Sequence, residues 1–247
     1  MIASGKLGST LSTPRSPARR WLLAATWPAG VVLTSWDYMW RSTPLHRYET
    51  RESETAGHMP PEFPDGVARD DVIAPEHGCG PLFHRRYRTA IRESDVSPVE
   101  LMVVLKADLN RAAPTKLARF QRVLGDGESM VVGDEYVVRM PGPWDGPVRV
   151  VASGEQFFRL ATLAGHLEAG QIEFRVIAGE LIGFEIESWA RSADRLSNLL
   201  YHHVRMAKEI QAHMWISFLE GVVALSGGRM TGGVEIDTRS VEYGLTE

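Results

Sequence analysis

From residue 81 onward the apolar and polar positions follow two periods in turn. Leu82 to Arg92 alternates, with Phe83, Arg85, Tyr87, Thr89 and Ile91 on one side, and predicts a strand. Ser97-Pro98-Val99-Glu100 reads as a helix start: Ser97 can cap the Glu100 amide, Glu100 can reach back, and Pro98 sits where no amide bond is lost. Leu101, Val104, Leu105 and Leu109 form its apolar stripe until Pro114 breaks the pattern. A second short helix is predicted over 115–124, on Leu117, Phe120 and Leu124, ending at Gly125.

The period then shortens to two. Strands are predicted at 129–132, 134–140, 147–152, 156–163, 170–178 and 181–190, divided by glycine- and proline-rich turns. The alternation is clearest at the end of this run. Ile172, Phe174 and Val176 oppose Glu173 and Arg175, and Phe184 and Ile186 oppose Glu185 and Glu187, so an antiparallel meander has one apolar face. A long helix is predicted from Ser192 or Asp194 to Leu225, with Leu196, Leu200, Ala207, Ile210, Met214, Phe218 and Val222 as its stripe and Gly227-Gly228 as its stop. The stretch 232–244 adds a strand or lies across that helix.

A strand, two short helices, a meander and one long amphipathic helix make an α+β order. It resembles the helix-grip (START/SRPBCC-like) superfamily, in which a curved antiparallel sheet surrounds a long C-terminal helix. The segments GDEYVVRMPGPWDGPVRVV (133–151), FRLATLAGHLEAGQIEFRV (158–176), FEIESWARSADRLSNLLY (184–201) and KEIQAHMWISFLEGVVALSGG (208–228) are similar to the uncharacterised protein family 0548 of bacteria and plants. WDYMWRSTPLHR (36–47) and GPLFH (80–84) resemble parts of its longer bacterial form. Its members carry a domain of unknown function, so the resemblance implies no catalytic residue.

The front of the chain has a different character. Residues 1–20 contain Lys6, Arg15, Arg19 and Arg20 and no acid, and read as a flexible basic tail. Residues 21–36, WLLAATWPAGVVLTSW, carry no charge. A spanning helix needs about 20 apolar residues, and this run of 16 contains Pro28 and Gly30. An export signal would need a small-x-small cleavage site, and none follows. A buried or interfacial segment, with Trp21, Trp27, Trp36 and Trp40 as amphipathic anchors, fits best. Residues 41–80 are a proline-rich connector with a charged run at 49–54. The expected division is therefore a tail over 1–20, an apolar, tryptophan-rich segment and connector over 21–80, and a helix-grip domain over 81–247. The expected location is cytoplasmic, with membrane or protein contact through residues 21–40 as the open point.

Composition narrows the function. Lys and Arg number 27 against 31 Asp and Glu, a formal charge of -4, so no basic excess exists to neutralise a nucleic-acid backbone. One cysteine, Cys79, excludes an internal disulfide and any multi-cysteine metal site, and no third group orients it for nucleophilic work. His202, His203 and His213 lack the spacing of a zinc motif on one helix. Neither a metal nor a cofactor is expected.

Two turns hold candidate chemistry. Gly165-His166-Leu167-Glu168 could place an acid–base pair at a cavity mouth, or be a turn closed by a side-chain hydrogen bond. Pro141-Gly142-Pro143-Trp144 could form a lid, or a stiff connection with Trp144 as a plug. Glu173, Arg175, Glu185, Glu187 and Arg191 read as cross-strand ion pairs on the outer sheet face. The leading expectation is a non-catalytic binder of a small hydrophobic or lipid-like ligand between sheet and C-terminal helix, touched by Trp144, His166, Trp189, Met214 and Phe218. The alternatives are an enzyme on a hydrophobic substrate using His166 and Glu168, and an interaction module using the tryptophan-rich segment.

Overall fold

The computed structural model describes residues 43–52, 57–140, 145–193 and 205–242. The basic tail, Trp21, Trp27, Trp36, Trp40, Trp144, His202 and His203 lie outside the described residues.

Nine strands form one sheet among the described residues, in the order β1-β9-β2-β8-β7-β6-β5-β4-β3. They are β1 Leu45–Glu52, β2 Cys79–Arg92, β3 Arg119–Leu124, β4 Glu135–Arg139, β5 Asp145–Gly154, β6 Phe157–Thr162, β7 Glu168–Ile177, β8 Ile182–Ser192 and β9 Arg229–Val241. Helix α1, Pro98–Ala107, follows β2, and helix α2, Arg205–Leu225, lies between β8 and β9. Every neighbouring pair is antiparallel except β1 with β9.

The capping box at α1 forms as its spacing predicts. Ser97 Oγ accepts from the Glu100 amide, and the Ser97 amide donates to Glu100 Oε2 at 2.8 Å. The second short helix does not form. Pro114 accepts from the amides of Leu117 and Ala118 in one turn, and the chain then extends into β3. The reason is tertiary. The Asn110 side chain accepts from Phe120 N and donates to Phe120 O, both at 2.8 Å, while the 119–124 backbone pairs with β4. Residues 129–132, predicted as a strand, form a loop in which Met130 N donates to the Lys106 carbonyl. Ser192, where the long helix could have begun, is still strand, and α2 is described from Arg205.

Gly227, at φ +70°, ends α2 in the left-handed conformation, and a Cβ there would lie 2.0 Å from Asp95 Oδ2. The chain then returns as β9 between β1 and β2, so the stretch left open between strand and helix crossing is strand.

Strand alternation gives the sheet two faces of different chemistry. The inner face meets both helices through a core containing Tyr87, Ile91, Leu101, Leu105, Phe158, Phe174, Phe184, Ile186, Phe218 and Val222. Phe158 and Phe174 stack at 4.6 Å, and Phe218 comes within 5.3 Å of Phe174 and 6.5 Å of Phe184. Burying such rings contributes roughly 1.5–3 kcal/mol each.

The outer face carries charged rows. Register places Arg159, Glu173, Glu187, Arg86 and Asp237 in line across β6, β7, β8, β2 and β9. Arg159 Nε donates to Glu173 at 2.9 Å, Arg86 Nε to Glu187 at 2.6 Å and Arg88 Nε to Glu185 at 2.5 Å, so the cross-strand partners are not the expected arginines: Arg175 pairs with Glu173 along its own strand, and Arg191 donates to backbone carbonyls. Over this face runs the connector. Arg149 Nη1 donates to the carbonyls of Ala68 and Asp70, Arg159 Nη1 to those of Pro61 and Glu62, and Arg191 Nη1 to that of Pro75. The connector, expected to lack regular structure, supplies β1 at residues 45–52, because β9 offers it a free edge to pair with, and the part that crosses this face as a strap has backbone acceptors satisfied by arginines of the sheet.

Candidate functional site

The inner face changes character along β7 and β8. Beyond Phe174, Phe184 and Ile186, the inward positions are Ile172 and Gly170 on β7 and Ser188, Ala190 and Ser192 on β8. Thr162 continues this region of small side chains on β6, its Oγ1 accepting from the Gly170 amide at 2.9 Å. Gly170 cannot be replaced, since a Cβ there would lie 1.9 Å from the Trp189 carbonyl oxygen.

Beside these small residues stands a polar group. Arg85 projects inward from β2 with only 4% of its surface exposed. Its Nη1 donates to Gln211 Oε1 of α2 at 2.9 Å and lies 4.0 Å from Glu168 Oε1 of β7. Gln211 Nε2 completes the triangle, 3.4 and 3.2 Å from the two Glu168 oxygens. The Arg85 guanidinium also lies 4.7 Å from the Phe83 ring centroid. Charge is thus buried where the small residues leave the wall low, opposite the aromatic cluster.

Two further polar atoms occupy the same interior. Ser188 is directly opposite Arg85 in the β2–β8 register and opposite Ile172 in the β7–β8 register, and is 4% exposed. Trp215 lies one helical turn after Gln211, edge-on to Phe174 at 5.5 Å, and is 6% exposed. Neither Ser188 Oγ nor Trp215 Nε1 has a hydrogen-bond partner among the described residues.

The predicted site residues are distributed over three places. Met214 and Phe218 are in the core on α2. Trp189 is on the other side of the sheet, stacked on His84 at 5.4 Å, and does not share a face with them. His166 is in the β6–β7 turn, where Nδ1 accepts from the Glu168 amide at 2.9 Å. Burial pushes His166 below its usual range, against the opposing charge and backbone bond of Glu168. No hydrogen bond joins the His166 and Glu168 side chains, because the carboxylate is turned to Gln211. The turn is closed by its histidine, the simpler of the two arrangements its sequence allowed.

Arg85, Ser188, Gln211 and Trp215 were not among the expected site residues, yet one signal was present. Arg85 occupies the apolar register of its strand, between Phe83 and Tyr87, and Ser188 continues the register of Phe184 and Ile186. A charge or hydroxyl on the buried side of a strand is the informative exception to alternation. Among the described residues, no group of three or more His, Cys, Asp or Glu could hold a metal ion, and no helix is long and apolar enough to cross a membrane.

No curated protein matches the chain. Similar solved structures include the major latex-like protein 151 of Panax ginseng, at 18% identity over 60% of this chain and 99% of that one, with a TM-score of 0.41. Another is the di-domain ARO/CYC StfQ of the steffimycin biosynthetic pathway, at 8% identity over 62% and 52%, with a TM-score of 0.45. A point mutant of Thalictrum norcoclaurine synthase is similar at 9% identity over 60% and 98%, with a TM-score of 0.42. These likenesses are distant. Residues 82–218, by contrast, match a family model directly, from β2 through the inner-face polar group to Phe218, and the chain belongs to the family of the domain of unknown function DUF1990.

Proposed function

We propose that residues 81–247 are a helix-grip domain, similar to family 0548, that binds a small, largely apolar molecule between the sheet and α2. In this reading the protein holds its ligand without transforming it. The observation that carries it is the change along the inner face from Phe158, Phe174 and Phe184 to Thr162, Gly170, Ser188, Ala190 and Ser192, with the buried Arg85–Gln211–Glu168 triangle alongside. A sheet packed only for stability is filled with side chains of complementary volume to native density. Small residues flanked by a buried charge instead suit a mostly apolar site with a few convergent polar groups.

Aromatic rings fill the interior at the level of Phe218, so the ligand belongs at the Gln211 end of α2. The test is native mass spectrometry of the full chain after gentle purification, with organic extraction of the same material. A retained small molecule, lost when Ser188→Leu fills the wall, supports the reading. Repeatedly ligand-free protein that also takes up no added apolar probe overturns it.

A further inference from the structure

Resting on that reading of the interior, we infer that the ligand carries a hydrogen-bond-accepting oxygen, as a carbonyl or carboxylate, bound by Ser188 Oγ–H and Trp215 Nε1–H beside Arg85. Both atoms are buried and have no hydrogen-bond partner among the described residues. Buried polar groups in native proteins are nearly always paired, and an indole N–H can only donate. The serine hydroxyl can donate as well, and so can the neighbouring guanidinium.

Connectivity brings the three together. Arg85 and Ser188 are register partners on β2 and β8. Gln211 ties Arg85 to α2 at 2.9 Å, and Trp215 stands one turn further along that helix, against Phe174. Phe174 is two residues along β7 from Ile172, the other register partner of Ser188. The path Arg85–Ser188–Ile172–Phe174–Trp215–Gln211 therefore links the two unpartnered donors and the guanidinium through register partners, one ring contact and one hydrogen bond. The acceptor present, Glu168, already receives Gln211 Nε2. A hydrocarbon would leave the two unpartnered groups as they are; a molecule ending in an oxygen acceptor would satisfy them and lay its apolar remainder on Ile172 and Phe174.

The experiment compares three probes of equal chain length on the full protein: undecanoic acid, 2-undecanone and undecane. Binding is measured by titration calorimetry and by the indole N–H signals of ¹⁵N-labelled protein, with Trp215 identified through Trp215→Phe. Tighter binding of the acid or ketone than of the alkane, with a downfield shift of the Trp215 N–H, is expected. Ser188→Ala and Trp215→Phe should each weaken the oxygenated probes about five- to tenfold more than they weaken undecane. If the acid binds more tightly than the ketone, Arg85 meets a carboxylate; if both bind alike, the ligand oxygen is a carbonyl. Equal binding of all three probes, with neither variant discriminating, overturns the inference while the binding function stands. Binding of none of them overturns both.

Discussion

His58 Nδ1 lies 3.0 Å from His84 Nδ1, under the strap on the outer sheet face, with the two rings 8% and 3% exposed. His84 Nε2 is 2.7 Å from Glu187 Oε1, so the carboxylate holds the proton on Nε2 and leaves Nδ1 of the neutral ring to accept from His58. A carboxylate inside the sheet thereby orients a histidine that anchors a chain segment more than twenty residues upstream. His84→Leu removes both bonds and should cost about 1–3 kcal/mol, since Glu187 keeps Arg86 but loses a buried donor. His58→Ala should cost about 1 kcal/mol. Hydrogen exchange should rise at residues 57–64 in both variants, and a rise spread evenly over the sheet would contradict the anchoring role.

Arg159 links strap and sheet in the same way. It donates to the buried Glu173 at 2.9 Å and to two strap carbonyls at 3.3 Å. Register puts Glu173 directly opposite Glu187, so removing the arginine leaves two facing carboxylates with less compensation. Arg159→Met should destabilise by about 3 kcal/mol in urea unfolding, and Arg159→Met with Glu173→Leu should recover most of the loss. An additive double variant would show that the pair is not coupled.

Acid lowers stability in two windows. Burial pushes His166 below its usual value, so the unfolded imidazole takes a proton near pH 6.5 while the folded one does not. Its contribution is complete above that pH and is lost as pH falls toward the folded value. Glu187 follows at lower pH. Burial alone would raise it, but the hydrogen bonds from His84 and Arg86 and the charge of Arg86 hold it below the ordinary range. Its contribution is present above about pH 4.3, the unfolded carboxyl value, and is lost as pH falls through the folded one. Denaturant midpoints measured from pH 8 to 3 should fall in both ranges. His166→Asn should flatten the upper range only, and an unchanged slope there would remove His166 from the account.

Gly221 lies within α2, four residues before its last residue Leu225, where helix propensity favours Ala by about 1 kcal/mol. A Cβ at this position would lie 2.2 Å from the Ala112 carbonyl oxygen in the turn after α1. Backbone cannot give way as a flexible side chain can, so Gly221→Ala should destabilise by about 1–3 kcal/mol despite its better propensity. A raised melting temperature would mean that α2 can move off the turn without loss.

The local elements were legible in the sequence because their causes are local. The Ser97–Glu100 box, the alternation of β7 and β8 and the glycine stop after α2 depend on neighbours within a few residues, and each stands where the pattern placed it. Residues 119–124 were not legible, because helical and extended spacing are indistinguishable over so short a run and the deciding bonds come from Asn110 and β4. Partner choice was equally hidden. Parallel pairing of β1 with β9 joins residues 45 and 234, and the strap is held by arginines far away in sequence. The site divides along the same line. The sequence by itself determined that Arg85 and Ser188 occupy the apolar register of their strands. Only the tertiary structure decided that they are neighbours, that Gln211 of α2 reaches Arg85 and that Trp189 faces away, since a strand period fixes which side a residue takes but not what lies across from it.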